Sequence, residues 1–506
     1  MSKVLALSLL VPLVASCGDD SKNDGLRCGP GTVAVGGECL PEGGDSDVDT
    51  DADTDTDTGS DCADDDPLDP LGVDDNCDGA EGVADRGIYL WWAGDDLFSG
   101  SPDSPVVTLA RALEIARDDA LRRFVFVAEG PTIEGSGVAD LLELGCEVVG
   151  GLVPDLGWSR RELLDLSRGT TLEVPAAGVV VTGADDGALR YLTIVSAGSD
   201  PDHVVLVAEE SEGLELEVVT LRAAAGGPGD PGAPTDAPDR TADAWVGGDA
   251  AGANGGEPAV IAPEDQCGEG TPRGGAGGDN TIETCAAQAG EGGAAYWQIP
   301  EAGAIGAPGS GGAGVSFDGV THLFGSSATD GGRGFMGDGG GGAQCTFAFF
   351  GGCGEIAPGG AGGAGGCGGW GGSAATDGGH SIPLVVIGDF PSFDTVALQA
   401  GSGGDAAAGG DGGAGAPGAR GGAGEQYCEF DGLHGGPGGI GGQGGGGGGG
   451  AGGWSTGLLV VGAAETPALP AGVVVSLGAG GAGGAGGLPN GAAGAPGEAH
   501  EVHAIP

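Results

Sequence analysis

Three widely separated segments of this chain are copies of one another. Val204-Val-Leu-Val207 leads to Val218-Val-Thr-Leu-Arg-Ala-Ala-Ala-Gly-Gly, Leu384-Val-Val-Ile387 to Val396-Ala-Leu-Gln-Ala-Gly-Ser-Gly-Gly, and Leu458-Leu-Val-Val461 to Val473-Val-Val-Ser-Leu-Gly-Ala-Gly-Gly. Each copy reads as a short strand, a variable turn, a second strand and then glycine. A repeated unit too small to bury its own apolar face buries it on the next copy. Short strands stacked about 4.8 Å apart in this way form a parallel β-helix. Ile88 to Trp92, Phe124 to Val127, Leu141 to Val149, Thr171 to Val174, Val179 to Val181, Leu189 to Val195 and Leu214 to Leu221 read as further strands, because they are short, apolar and punctuated by Gly, Pro and Asp. One helix is expected near 108–120, with Thr108 as its cap and Leu109, Ala112, Leu113, Ala116 and Ala120 on one face.

Glycine is the second constraint. The chain holds 119 glycines in 506 residues, and residues 434–453 carry fifteen in twenty. The tracts lie between the copies, over 226–380, 401–457 and 478–497. Their period is Gly-Gly-Xaa rather than strict Gly-Xaa-Yaa, which argues against collagen. Ordering glycine costs more backbone entropy than ordering any other residue, so the expectation is flexible loops inserted between coils. The alternative is polyproline-II-like strands packed side by side, hydrogen-bonded through their backbones and pinned by aromatics such as Phe349, Phe350, Trp370 and Trp454.

A family likeness attaches to residues 88–225. Ser104-Pro-Val-Val-Thr-Leu109 opening a helix, Phe124-Val-Phe-Val-Ala-Glu-Gly130, Val148-Val-Gly-Gly-Leu152, Trp158-Ser-Arg160 and Thr170-Thr-Leu172 carry it. This stretch resembles the pectin-lyase-like right-handed β-helix domains of bacterial surface lipoproteins. The resemblance implies an all-β fold, a right-handed parallel β-helix whose N-terminal end is capped by the helix. The glycine tracts then form long loops on it. Such a cap matters because an open strand end is a template for aggregation.

The start of the chain gives an address. Lys3 precedes an apolar run from Val4 to Val14, followed by Ala15, Ser16 and Cys17. The run is too short to span a bilayer and fits a removed export signal. Leu13-Val-Ala-Ser-Cys17 resembles the lipobox of bacterial lipoproteins, which implies cleavage before Cys17 and its lipidation. Two or more acyl chains make a stable anchor. The expected location is the bacterial cell envelope, at the outer membrane or cell surface. Export permits disulfides, and local spacing suggests Cys28–Cys39, Cys62–Cys77, Cys267–Cys285, Cys345–Cys353 and Cys367–Cys428. Spacing alone does not fix connectivity. Cys146, in an apolar run, is expected as a buried thiol.

Charge excludes whole classes of partner. The formal net charge is −57, from 74 acids and 17 bases. Nucleic-acid binding needs a basic footprint, so no nucleic-acid partner is expected. Residues 45–78 hold fifteen aspartates. A block that repels itself and buries nothing stays extended, so residues 45–86 read as a disordered stalk. At its end, Cys62-Ala-Asp-Asp-Asp66 and Gly72 to Gly79 resemble a degenerate cysteine- and aspartate-rich metal-binding repeat of bacterial surface proteins. The oxygens of Asp74, Asp75, Asn76 and Asp78 suit calcium; the plainer reading of the same residues is a solvated acidic linker. No other cofactor is expected.

Candidate chemistry is sparse. Asp185, Asp186, Arg190 and Tyr191 are the one compact polar cluster on the expected strands, though Thr182 to Gly187 is also a plain turn. Arg160, Arg161 and Arg168 suit an acidic sugar or pairing with nearby acids. The histidines do not cluster by spacing apart from His500 and His503, which lack the offset of a zinc helix. The resulting organisation is 1–16 signal, 17–44 anchored cysteine-bearing segment, 45–86 stalk, 87–225 capped coils, 226–380 glycine lobe and 381–506 further coils. The expected role is structural, adhesive or glycan- or matrix-binding, with a membrane partner through the lipid and no catalytic residue assigned. A polysaccharide lyase or glycoside hydrolase on the same scaffold is the alternative, since fold does not fix function.

Overall fold

A computed structural model describes residues 32–35, 38–41, 84–160, 169–236, 246–249, 302–317, 323–326, 328–335, 346–347, 356–357, 360–427, 430–431 and 433–506. Most regular structure is β, with two α-helices among the described residues. The principal strands are β1 (Gly87–Leu90), β2 (Phe124–Ala128), β3 (Glu147–Val153), β4 (Ala188–Ala197), β5 (His203–Glu209), β6 (Glu215–Ala223), β7 (Ser381–Ile387), β8 (Val396–Ala400), β9 (Ser455–Val461), β10 (Val473–Ser476) and β11 (Ala499–Ile505). Contacts divide the chain into two compact units. One comprises Met1–Leu172, Val181–Thr193 and Ser211–Val219; the other comprises Glu173–Val180, Ile194–Glu210 and Thr220–Pro506.

In the first unit β1, β2, β3 and β4 pair in parallel, with Ile88 beside Val125, Val125 beside Val148, and Leu189 beside Val148. Tyr89, Phe126, Val149, Leu152, Trp158 and Tyr191 form its aromatic core. The helix α1 (Leu109–Asp118) packs on β1. Thr108 caps it, its hydroxyl accepting from Arg111 N at 3.1 Å. Asp96 fixes the entry, since Oδ1 accepts from the Val107 and Thr108 amides and Oδ2 from the Thr108 hydroxyl. The helix stops at Asp118, so Ala120 is exposed, and Ile115 supplies buried surface instead. Leu141 and Leu142 sit in a second helix, α2 (Val138–Glu143), not in a strand as their apolar run suggests. Farther toward the N-terminus, Thr32–Val35 and Glu38–Pro41 form an antiparallel hairpin that includes Cys39.

The second unit carries the repeated copies as two parallel ladders. In one, β5, β7, β9 and β11 follow in order: Leu206 pairs with Leu384, Leu384 with Leu458, and Leu458 with Val502. Val205, Val386 and Val460 lie in this one sheet, and Val386 pairs directly with Val460. In the other, Leu221 pairs with Leu398 and Leu398 with Val475. The interior strands β5, β7 and β9 are buried on both faces, as parallel strands with continuous apolar sequence must be. Each copy bends at the same place. Glu210, Gly388 and Gly462 follow the last paired residues of β5, β7 and β9 with φ of +48°, +83° and +84°. Thr395 and Gly472 precede β8 and β10 with φ of +56° and +81°. A left-handed residue recurring at equivalent positions is the backbone signature of a repeated turn.

Candidate functional site

The glycine tracts are the most distinctive assembly in the second unit, and they correct the expectation of flexible loops. The tract 433–453 is surrounded by six others: 360–380, 401–425, 478–488, 491–497, 302–312 and 328–335. Three consecutive residues reach all six. Gly447 N donates to Gly410 O (2.9 Å) and its carbonyl accepts from Gly487 N (2.9 Å). Gly448 N donates to Thr329 O (2.9 Å) and its carbonyl accepts from Ala375 N (3.0 Å). Gly449 N donates to Ala492 O and its carbonyl accepts from Gly312 N, both at 2.9 Å. Bonds recur at every third residue, from Gly435 through Gly438, Gly441, Gly444, Gly447, Gly450 and Gly453 to the antiparallel tract 401–425. This is the period of a polyproline II helix.

The six surrounding tracts also bond to one another, through Gly410 N to Ser373 O, Gly409 N to Ala485 O, Gly494 N to Gly484 O, Ala492 N to Gly309 O, Gly332 N to Ala307 O and Gly331 N to Gly372 O. The result is a closed hexagon around one central tract, with 226–236 outside it against 360–380 and 401–425. The physical reason is close approach. A Cβ on Gly444, Gly445, Gly447 or Gly448 would overlap the carbonyl of Trp370, Ala307, Ser373 or Ser310. Glycine alone therefore lets each interior residue donate and accept at once, which offsets the entropy of ordering it. The seven consecutive glycines 444–450 fall where the ring surrounds the tract. Side chains return at Gln443 and Ile440, beyond the turn at 488–490 that joins two ring tracts.

The expected pins are partly in place. Arg333 stacks over the Trp370 ring at 3.9 Å. Cys367 is buried and disulfide-bonded. Its expected partner Cys428 lies outside the described residues, as do Phe349 and Phe350. At the end of the central tract, Trp454 N donates to His380 Nδ1 at 2.9 Å. The Trp454 ring lies 4.6 Å from His503 and 5.5 Å from His500, whose rings are 4.7 Å apart. His500 Nε2 is 2.9 Å from Glu498 Oε2. Burial, reinforced by His500, lowers the His503 pKa against the opposing pull of Glu498. Burial lowers that of His380 too, against Asp202 and Asp377. Spacing had left His380 unconnected to the others, because the parallel ladder brings the starts of β7, β9 and β11 together across more than a hundred residues.

In the first unit Arg190 organises a different cluster from the one its neighbours in sequence suggest. Its Nε donates to Glu147 (2.9 Å) and its Nη2 to Glu215 (2.6 Å), while Nη1 meets Glu217. The Tyr191 hydroxyl donates to Glu217 Oε1 at 2.7 Å, and the Arg160 guanidinium lies 3.6 Å from the Tyr191 ring centre. Asp185 and Asp186 are exposed in a tight turn, where a Cβ on Gly213 would strike the Asp185 backbone; they are not partners of Arg190. Glu147, Glu215 and Glu217 gave no sequence signal, since they meet Arg190 only through strand pairing. Glycoside hydrolysis needs two carboxyl groups flanking an open bond. Here the arginine, on the middle strand, fills the space between them.

Cys17, Cys28, Cys62, Cys77, Cys267, Cys285, Cys345 and Cys353, the calcium candidates Asp74, Asp75, Asn76 and Asp78, and Arg161 and Arg168 lie outside the described residues. Cys146 is fully buried as a thiol. Among the described residues no group of three or more His, Cys, Asp or Glu is arranged to hold a metal ion, and no helix is long and apolar enough to cross a membrane. No protein-family model matches the chain, and comparison with curated proteins and with solved structures finds no match either.

Proposed function

We propose that this chain is a lipid-anchored protein of the bacterial cell envelope, in which a right-handed parallel β-helix and its glycine bundle have a structural, adhesive or glycan- or matrix-binding role without catalysis. The β-helix reading rests on the parallel ladders and their stacked left-handed bends, together with the strong preference of parallel crossovers for the right hand. The anchor and stalk rest on Cys17, the run before it and the aspartates of 45–78.

One observation carries the role: Gly447, Gly448 and Gly449 of the central tract bond through their backbones to six surrounding tracts. A body built this way is stiff and presents only its outer surface to a partner. The Arg190 cluster supports the same reading, because its carboxylates are held by an arginine standing between them. The test is a binding screen of the full chain against glycans and extracellular-matrix components, with and without calcium. Retention on one class supports the role. Release of unsaturated or reducing sugar ends from an acidic-polysaccharide panel would replace it with the lyase or hydrolase reading. A change of hydrodynamic size on chelation would move calcium from the stalk's margin to its centre.

A further inference from the structure

The tract 226–236, outside the hexagon, is bonded on two sides and bare on the third. Gly226, Gly229, Gly232 and Thr235 donate their amides to the carbonyls of Ser402, Asp405, Ala408 and Asp411, at 2.8–3.1 Å. The carbonyls of Gly227, Asp230 and Ala233 accept from the amides of Gly379, Thr376 and Ser373, at 2.8–3.2 Å. Both sets recur at every third residue, as in a polyproline II helix. The positions left over are Pro228, Pro231 and Pro234, and all three are exposed. In a helix of this kind they stand in one row, about 9 Å apart.

The row offers acceptors as well as rings. A trans peptide sets its C=O opposite its N–H. The amides of Gly229, Gly232 and Thr235 point at 401–425, so the carbonyls of Pro228, Pro231 and Pro234 point away from that tract. No described residue donates to them. The lattice itself does not call for proline here. The adjoining tract carries Ser402, Asp405, Ala408 and Asp411 in its own exposed row, and their amides find no acceptor among the described residues.

We propose that Pro228-Gly-Asp-Pro231-Gly-Ala-Pro234 is a recognition ridge, and that its partner is a protein domain whose aromatic-lined groove reads polyproline II helices. The aromatic rings of such a groove take the prolines, and a Trp N–H or Tyr O–H beside them suits a free carbonyl. A free peptide loses entropy when it is ordered in the groove, whereas the bundle already holds this ridge in shape. Asp230 and Asp236 are exposed on the same tract, so the groove that fits best carries Lys or Arg on its rim. The proposal goes beyond the role given above, because it needs the packed bundle and neither the lipid anchor nor a glycan.

The experiment titrates the full chain with isolated SH3, WW and EVH1 domains, followed by calorimetry. It is run at about 0.15 M and about 1 M salt, because at the higher the Debye length of roughly 3 Å removes general attraction to the acidic surface. At least one domain is expected to bind saturably at both, more weakly at the higher. Pro231→Ala takes two methylene groups from the ridge and is expected to weaken that binding about tenfold. The set Pro228→Ala, Pro231→Ala and Pro234→Ala is expected to abolish it. Pro417→Ala, at an exposed proline of the adjoining tract, is expected to leave it unchanged. Protection of the 444–450 amides shows that the bundle is intact, and the single variant carries the result if the triple variant loses that protection. The proposal is overturned if no domain binds, or if binding disappears at the higher salt. It is overturned equally if Pro231→Ala binds as the unmodified chain does, or if Pro417→Ala weakens binding as much as Pro231→Ala.

Discussion

Replacing Gly447 by alanine adds one methyl group at the most crowded point of the bundle. The new carbon would overlap the Ser373 carbonyl oxygen, lie 2.5 Å from its carbon and 2.9 Å from Gly372 O. A carbon–oxygen contact wants roughly 3.3 Å or more, so the tract 360–380 must retreat by about 1 Å. Its bonds Gly372 N to Gly445 O (2.9 Å) and Ala375 N to Gly448 O (3.0 Å) then stretch past the limit of a hydrogen bond. No water replaces them, because the ring is closed. Two buried bonds broken leave two donors and two acceptors unsatisfied, and at roughly 1–3 kcal/mol for each group the loss is about 4–12 kcal/mol. With melting shifting by roughly 2–4 °C per kcal/mol, that is about 10 °C or more. Ala408→Ser, on an exposed position of a ring tract, serves as the control and is expected within about 0.5 kcal/mol of the parent. Thermal unfolding by circular dichroism reads the shift, and amide exchange reads the tract itself. If the Gly447→Ala protein melts with the parent and the 444–450 amides stay protected, or if those amides are unprotected in the parent, the hexagonal packing argued above is wrong.

Other outcomes follow from the polar clusters. His503 and His380 have lowered pKa values, so folding favours their neutral forms; the stability they contribute is complete above the ordinary histidine pKa and is lost as pH falls below it toward the folded values. Melting of the parent should therefore fall between pH 7 and pH 5, and His503→Gln should flatten that dependence; an unchanged slope would remove the Trp454 cluster as its source. Arg190→Met leaves Glu147, Glu215 and Glu217 together without their cation. After allowance for partial exposure it should cost about 1–3 kcal/mol, less at acid pH where the carboxylates are neutral; equal melting at both pH values would deny the cluster a structural role. Cys146, fully buried, should resist alkylation in the folded protein and react on denaturation, and its appearance in a disulfide by non-reduced mass mapping would contradict its burial as a thiol.

Some particulars were legible locally and others were not. The copies Leu384-Val-Val-Ile387 and Leu458-Leu-Val-Val461 pair in the register their alignment gives. The first copy is displaced: Leu206, not Val204, faces Leu384. The shift is even, so the same faces stay inward. In the following strand Thr220 rather than Val219 faces Ala397, an odd shift. The cause is Val218 itself, which takes φ +50° and serves as the bend. An aliphatic residue in a left-handed turn has no sequence mark, since local preference argues against it. Likewise, Arg190 and Tyr191 were visible as polar residues on a strand, but their partners are chosen by which strands lie beside β4.

The sequence by itself determined that short apolar strands must stack on one another, because no single copy can bury its own face. It also determined the formal net charge of −57. Only the tertiary structure decided that the glycine tracts form a body. A lone Gly-Gly-Xaa tract has every reason to stay disordered, since it has no side chain to bury and the most backbone entropy to lose. Its hydrogen bonds exist only when six others of the same period surround it, and that count is a property of the assembled chain that no local window of residues contains.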